Sequence, residues 1–251
     1  MDPIAAFKKE CEERVHGYGQ DSALQELSRE WVRKSWSKKY SYNFRWLGRP
    51  IIQLPQDILA MQELIWEVRP DLIVETGIAH GGSLVFYASM LELLGGAGKV
   101  LGVDIDIRAH NRKEIENHPM FRRIEMIEGS SIAPDVVAEV TRRARGRRVM
   151  VCLDSCHERD HVLAELRCYS ELVGVGGYVV VFDTIVEDLA GVNGSRDDFE
   201  TNNPMAAVRA FLSETDEFEV AEDLNQKLLI THNPNGFLRR VRIGDTPGQE
   251  R

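Results

Sequence analysis

Residues 71–83, DLIVETGIAHGGS, decide the fold. The apolar run in DLIVET predicts a short buried strand, and Gly77, Gly81 and Gly82 predict a tight turn into a helix over 83–94. Such a turn lets the backbone approach a ligand, and the helix start offers free N–H groups. The spacing G-x-x-x-G-G is neither the G-x-G-x-x-G dinucleotide pattern nor a P-loop. The stretch therefore predicts a ligand-binding turn, with an ordinary strand-to-helix connection as the alternative.

The same strand-and-helix unit recurs along the chain. Five short apolar runs alternate with helical segments between Asp71 and Thr184, which predicts an α/β fold with a mostly parallel sheet and helices on both faces. Residues 1–35 read as N-terminal helices, and EFEVAED and QKLLITHN read as two closing strands. The predicted organisation is a helical and lid segment over 1–54, an α/β domain over 55–235 and a loosely ordered tail over 236–251.

Composition narrows the class of protein. Lys and Arg total 31 against 40 Asp and Glu, a net charge of −9, which argues against a nucleic-acid partner. Four irregularly spaced cysteines indicate a reduced, cytoplasmic protein, and the charged N-terminus does not resemble a signal peptide. No apolar run reaches the ~20 residues of a membrane span. We expect a small-molecule or glycan partner, and a homo-oligomer stays open.

Acidic side chains close three of the predicted strands. Asp104 follows the second strand, where a carboxylate can accept hydrogen bonds from ribose hydroxyls; the alternative is a helix N-cap. Asp154 and Asp183 follow the fourth and fifth strands, and their carboxylates would lie within reach of one hard cation, Mg²⁺ or Mn²⁺. Thr184 would add a further oxygen. The alternative is that both aspartates serve only as caps or loop residues.

Residues 153–166, LDSCHERDHVLAEL, match the H-E-x-x-H pattern of zinc proteases. Ser155 and Glu158 read as a capping box, which predicts a helix from Cys156 with His157 and His161 on one face. The metzincin extension is missing, so zinc proteolysis is disfavoured. Beside a metal-binding aspartate, a histidine can instead act as general base. The alternative is that the histidines only cap or orient loops.

The basic, aromatic segment Arg33–Arg49 is a candidate lid. It carries six basic residues, several aromatic residues and no acid between those limits. Aromatic side chains there would stack on a sugar or an apolar ring. A solvated and partly packed loop is the equal alternative.

Residues from about 40 to 232 resemble the cephalosporin hydroxylase family, which includes rhamnosyl O-methyltransferases. The shared landmarks are LIVETGIAHGGS, GVDIDIR, VCLDSCHERDHVLAEL, GGYVVVFDTIVEDL, the NNP at 202–204, and KLLIT. The resemblance implies a Rossmann-like class I methyltransferase that binds S-adenosylmethionine and Mg²⁺. It implies metal ligands at Asp154 and Asp183. The implied cofactor contacts are Glu75, Gly77, Gly81, Ser83 and Asp104, with Ser130 near the adenine.

These features predict a metal-assisted O-methyltransferase that acts on a hydroxyl of a sugar or a glycosylated natural product. His157 is expected to be the general base, kept neutral by the nearby cation, and His161 a helper that positions substrate or loop. Relatives can carry Glu where this chain has Phe182, so the third metal ligand is open. The alternatives are a hydroxylase, for which no two-histidine-one-carboxylate pattern is found, and a nucleotide-binding module without catalysis.

Overall fold

A computed structural model of the protein describes residues 2–243. The chain forms helices and strands in an alternating order from residue 55 onward. The helices are α1 Pro3–Gln20, α2 Ser22–Trp36, α3 Pro55–Val68, α4 Gly82–Leu94, α5 Ala109–Glu116, α6 Pro134–Ala144, α7 Arg159–Tyr169, α8 Pro204–Glu214 and α9 Glu222–Lys227. The strands are β1 Arg45–Trp46, β2 Arg49–Pro50, β3 Leu72–Thr76, β4 Lys99–Asp104, β5 Ile124–Glu128, β6 Val149–Leu153, β7 Tyr178–Val181, β8 Phe218–Val220 and β9 Phe237–Arg240.

A seven-stranded sheet in the order β5-β4-β3-β6-β7-β9-β8 forms the centre of the molecule. The strands β3 to β7 pair in parallel, whereas β9 pairs antiparallel with both β7 and β8. The chain order reverses between β3 and β6, which flank each other at the middle of the sheet. In an open α/β sheet this reversal leaves a crevice at the carboxyl ends of the strands, where ligands bind.

Apolar side chains cover both faces of the sheet, as its parallel strands require. Every residue of β3, β6 and β7 is buried. One core packs α3 and α4 on the sheet through residues such as Met61 and Phe86, and the other packs α6, α7 and α8 through Val140 and Leu166. This burial is the main favourable term that holds the sheet and its loop ends in place.

The last part of the chain differs from the prediction. QKLLITHN is not a strand, because its first two residues end α9 and the chain then runs without regular structure to Gly236. The last strand is Phe237–Arg240, inside the range predicted as a loosely ordered tail. Arg240 is buried there because it pairs with Glu217 and donates to the Val173 carbonyl at 2.7 Å. Residues 244–251 of the predicted tail lie outside the described residues.

The N-terminal helices attach to the sheet domain unequally. No residue of α1 is buried, whereas α2 inserts Val32 against Ile185 and Leu189, just after β7. Among residues 2–243, no helix is long and apolar enough to cross a membrane.

Candidate active site at the carboxyl edge of the sheet

The glycine-rich turn after β3 is shaped by contacts that only glycine permits. Gly77 has φ 89°, and a Cβ there would lie 2.0 Å from the Asp154 carbonyl oxygen. Gly81 has φ 75°, and a Cβ there would clash with Ile115. The missing side chain at Gly77 therefore lets the turn lie directly against the end of β6, where the predicted metal ligand stands.

Glu75 and Ser83 brace this turn from inside. The Glu75 side chain is fully buried, and its Oε2 accepts a hydrogen bond of 2.7 Å from the Ser83 hydroxyl. Burial and then the nearby Asp154 carboxylate raise the pKa of Glu75 well above its usual range. Of the two predicted cofactor contacts, Ser83 lines the pocket beside the turn. Glu75 is not among the residues that line this pocket, and it contacts the lining through Ser83.

Asp104 holds the other side of the turn. Its Oδ2 accepts hydrogen bonds from the backbone N–H groups of Ile78 at 2.7 Å and Ala79 at 3.3 Å, and its Oδ1 accepts from Asp106 at 3.0 Å. A carboxylate offers about four acceptor sites, so the side chain keeps capacity for a ligand hydroxyl. Asp104 lines a cavity of about 350 Å³ together with Gly77 and the predicted adenine contact Ser130. The contact of Asp104 with ribose stays a prediction.

His161 faces this same cavity and is held by a buried carboxylate. Its Nε2 lies 3.2 Å from Ser131 Oγ and 3.4 Å from Glu165 Oε1. Glu165 is fully buried on α7, and its Oε1 also accepts from Ser131 at 2.5 Å and from Ser155 at 2.7 Å. The hydrogen bond to Glu165 raises the pKa of His161. The structure thus places His161 in the predicted cofactor cavity, with the residues after β5.

Asp154, His157 and Asp183 form one cluster, in which the ligand atoms lie within 4.8 Å of one another. His157 Nε2 is 3.4 Å from Asp154 Oδ1 and 3.4 Å from Asp183 Oδ2. Asp183 adopts φ 54°, a strained conformation for a residue other than glycine, and its N–H donates to Asn233 Oδ1 at 2.9 Å. Strain of this kind is concentrated at functional sites. The two carboxylates suit a divalent cation, and the imidazole lies beside them.

The charges of the cluster depend on one another. The pKa of Asp154 is raised to about 6, mainly because the side chain is buried. The hydrogen bond to His157 lowers this pKa in part, and the negative charge of Asp183 raises it further. Burial alone would lower the pKa of His157, but the attraction of Asp183 and Asp154 outweighs it and raises the pKa to about 9. The two carboxylates therefore favour the imidazolium form of His157 when no cation offsets their charge. The expected neutral imidazole depends on a bound cation and stays a prediction.

Thr184 does not join the cluster. Its side chain is buried, and its hydroxyl donates to the Pro234 carbonyl at 2.6 Å. The expected role of Thr184 as a metal ligand is therefore not supported by its position. The segment just before β9, which contains Pro234, has taken up its hydroxyl instead.

The H-E-x-x-H pattern is not folded as in a zinc protease. Helix α7 begins at Arg159, not at Cys156, so His157 lies in the loop and His161 in the first turn. The predicted capping box is absent from this segment because Ser155 donates to Glu165 instead. The Arg159 N–H is capped from outside the segment by Asn202 Oδ1 at 2.8 Å. The two histidines consequently serve different clusters.

Sequence patterns missed a second polar layer behind Asp154, His157 and Asp183, the candidate metal cluster. Asp57, on the first turn of α3, is buried and accepts hydrogen bonds from the Thr231 hydroxyl and, at 2.9 Å, from the His232 N–H. His232 Nδ1 lies 3.6 Å from Asp183 Oδ1. Gln53 lines the metal pocket as well. The only sequence signal was the acid three residues into a helix that begins at Pro55, which normally marks a helix start.

The candidate lid Arg33–Arg49 is an ordered, anchored segment. Arg49 donates to the His80 carbonyl at 2.6 and 3.0 Å and to Asn111 at 3.2 Å. Trp46 donates to Ser89 at 3.0 Å and packs edge-on against a buried phenylalanine of α4. Tyr42, 57% exposed, lines the pocket that contains the metal cluster. The segment therefore contributes one aromatic side chain, Tyr42, to the pocket lining.

Known structures share this arrangement of the sheet. The chain superposes on the ligand-free structure of CmcI with a TM-score of 0.55 at 18% identity, over 84% of each chain. A structure of CmcI with Mg and SAM gives a TM-score of 0.55 at 18% identity, over 80% of this chain and 78% of that one. The fold is that of the Rossmann-like methyltransferases, as the resemblance predicted.

The family is shown by sequence. The family model described as rhamnosyl O-methyltransferase/CmcI matches residues 38–241. The rhamnosyl O-methyltransferase of Mycobacterium tuberculosis H37Rv is 29% identical over 221 residues, 83% of this chain and 85% of that protein. The one of Mycobacterium leprae is 32% identical over 161 residues, 61% of this chain and 68% of that protein. The fold and family define an S-adenosylmethionine-dependent O-methyltransferase. In particular, the chain belongs to the rhamnosyl O-methyltransferase/CmcI family.

Proposed function

We propose that this enzyme methylates a hydroxyl of a sugar or of a glycosylated natural product, with a divalent cation held by Asp154 and Asp183. The observation that carries the proposal is a single pocket of about 220 Å³. Residues of the glycine-rich turn line it together with Asp154, His157 and Asp183. A methyl donor at the turn and a hydroxyl at the cluster would therefore meet in one cavity.

The cluster suits a hard cation by its donor chemistry. It offers two carboxylates with an imidazole beside them, and no Lys or Arg is among the described residues that line the pocket. The imidazolium of His157 balances part of the carboxylate charge there. A bound Mg²⁺ or Mn²⁺ supplies Lewis-acid chemistry that makes a hydroxyl easier to deprotonate. Two carboxylates with one imidazole differ from the two-histidine set of iron oxygenases, which favours the methyltransferase over the hydroxylase alternative.

His157 is assigned the proton transfer. Its Nε2 points between the two carboxylates, and about a third of its side chain is exposed to the pocket. When the carboxylates are otherwise neutralised, the attraction that raises its pKa is lost and its nitrogen can accept a proton. General bases of this kind act at hydrogen-bond distance from the proton they take. His161, in the other cavity, is assigned to the cofactor and not to the proton.

The cofactor residues would work as a rigid frame. Gly77, Gly81 and Ser83 shape the turn, Asp104 ties it to the end of β4, and Ser130 lines the far wall of the larger cavity. S-Adenosylmethionine supplies an electrophilic methyl group. A frame that is already in place fixes the methyl group and the hydroxyl in line, which removes part of the entropic cost of the reaction.

A transfer assay tests this function. The full chain is incubated with methyl-labelled S-adenosylmethionine, Mg²⁺ and a panel of rhamnosyl and other deoxysugar glycosides. We expect labelled methyl ether on at least one glycoside, loss of transfer in excess chelator, and recovery with Mg²⁺ or Mn²⁺. Asp154→Asn should abolish transfer, whereas Asp135→Asn, an exposed acid on α6, should leave it unchanged.

The outcome separates the alternatives. Full transfer in excess chelator would show that Asp154 and Asp183 are only structural. Tight binding of S-adenosylhomocysteine without transfer to any acceptor would favour a nucleotide-binding module.

A further inference from the structure

Gln53 carries an unexplained buried oxygen at the metal cluster. The residue lies between β2 and α3 and is 4% exposed. Within residues 2–243, its Oε1 has no hydrogen-bond partner. A buried amide oxygen without a partner is costly, and each such group in a native protein calls for a ligand, a water or an ion.

Two cavities meet at this side chain. One is the pocket of about 220 Å³ that contains Asp154, His157 and Asp183. The other is a cavity of about 10 Å³, the size of one water molecule or ion, which Gln53 shares with Asp154, Asp183 and His232. The unpartnered oxygen therefore lies at the back of the metal cluster and not on the outer surface.

Four other side chains around the cluster have their oxygens engaged in hydrogen bonds. Ser83 and Ser155 donate their hydroxyl protons to buried glutamates. Thr184 donates to a carbonyl, and Asp57 accepts two hydrogen bonds from the segment before β9. These side chains have structural roles that would be lost if they turned towards an ion.

The residue next to Asp183 supplies no oxygen. Phe182 is 3% exposed and packs in the apolar core, so the end of β7 offers one carboxylate to the cluster. Hard cations take six or more oxygen ligands, and amide carbonyls are among those they accept.

We propose that Gln53 Oε1 is the third protein oxygen of the metal site, beside Asp154 and Asp183. The inference rests on the proposed metal-assisted function and adds a ligand to it. Asn233 gives the rival explanation, since its Nδ2 is also buried and without a partner in the described chain. One water molecule held between Asn233 Nδ2 and Gln53 Oε1 would satisfy both groups without any metal.

Metal binding to the full chain distinguishes the metal-ligand explanation from the bridging-water explanation. Mn²⁺ affinity is measured from the free-ion electron paramagnetic resonance signal for the wild type, Gln53→Met, Gln53→Glu and Thr184→Val. We expect Gln53→Met, which keeps the volume and removes the oxygen, to bind at least about tenfold more weakly, by analogy with losses at metal-supporting residues. Gln53→Glu should bind more tightly because it adds a charge. Thr184→Val, the control for the other candidate ligand, should bind as the wild type does.

A second readout counts the ligands. In ¹⁷O-labelled water, line broadening of bound Mn²⁺ should report one more water in Gln53→Met than in the wild type. Thermal unfolding in chelator should show Gln53→Met no less stable than the wild type, because an apolar group replaces an unpaired oxygen.

Two results would overturn the assignment. One is unchanged Mn²⁺ affinity in Gln53→Met. The other is lower stability of Gln53→Met in chelator with an unchanged number of bound waters, which would identify Gln53 as a partner of structural water. Absence of Mn²⁺ binding by the wild type is a different outcome, since it would reject the metal-assisted function itself and the ligand assignment with it.

Discussion

His157 lies between two carboxylates, and this position determines the effect of removing it. We expect His157→Ala to lower the single-turnover rate at saturating S-adenosylmethionine by roughly 10²–10⁴, the usual loss for a general base. Affinity for S-adenosylhomocysteine should stay within about twofold, because the residue stands outside the cofactor cavity. Rapid quench and calorimetry give the two numbers. A near-wild-type rate would place the base elsewhere.

His161 should show the opposite pattern. Its ring lines the cofactor cavity and is fixed by Glu165 and Ser131. His161→Ala should weaken S-adenosylhomocysteine binding about tenfold, the equivalent of one hydrogen bond, and leave the saturated single-turnover rate nearly unchanged. A rate loss at saturation, with unchanged affinity, would return His161 to the role predicted from the sequence, a helper that positions substrate or loop.

The pKa of His157 also predicts a pH-dependent stability in the absence of metal. Its folded pKa of about 9 exceeds the ordinary 6.5, so its contribution is fully present below pH 6.5 and is lost as pH rises through 9. With allowance for partial exposure, His157→Gln should cost up to about 2 kcal/mol in chelator at pH 6 and almost nothing at pH 10. Urea unfolding at both pH values measures this. An equal cost at both would mean that packing, and not charge, explains the loss.

Among the elements, the turn between β3 and α4 is the least tolerant of change. Gly77→Ala adds a Cβ 2.0 Å from the Asp154 carbonyl and strains a positive φ. The combined overpacking and strain should lower the free energy of unfolding by about 2–5 kcal/mol. Metal binding and cofactor binding should both weaken. Gly146→Ala is the matched control, since Gly146 has φ 71° but open space around its Cα. Strain alone should cost it about 1–2 kcal/mol. Equal losses in denaturant unfolding would show that the contact with Asp154 is unimportant.

Elements defined by local patterns were predictable, and those defined by distant partners were not. The apolar runs of β3 to β7 identified the sheet and brought Asp154 and Asp183 to one edge. The predicted start of α7 was wrong because Ser155 donates to Glu165 and not to the helix backbone. The Arg159 N–H is instead capped by Asn202, 43 residues away. The arginine-rich β9 read as a tail because the partners of Arg240 are distant in sequence. Gln53 lies outside the helices and strands, so no helical or strand periodicity in the sequence indicated its role.

At the scale of the whole molecule, ligand binding should appear as added stability. At a hundred times its Kd, a ligand that binds only the folded state adds about 2.7 kcal/mol. For a chain of this length that corresponds to a rise in Tm of roughly 5–10 °C for Mg²⁺ and again for S-adenosylhomocysteine. Asp154→Asn should lose the Mg²⁺ shift and keep most of the cofactor shift. Loss of both shifts in a folded variant would mean that the two pockets are not separable.

The anchoring of Arg49 to the carbonyl of the glycine-rich turn bears on how ligands arrive. The anchor holds His80, a residue of the pocket lining, so we expect ligands to associate without a preceding opening step and with little loss of conformational entropy. Cofactor and acceptor encounters should therefore be simple collisions. In stopped-flow fluorescence of the tryptophans in this region, the observed rate should rise linearly with ligand concentration and show no plateau. Arg49→Met removes the anchor and should introduce that plateau. A mobile pocket would then have to change conformation before the ligand binds, and this step would limit the observed rate.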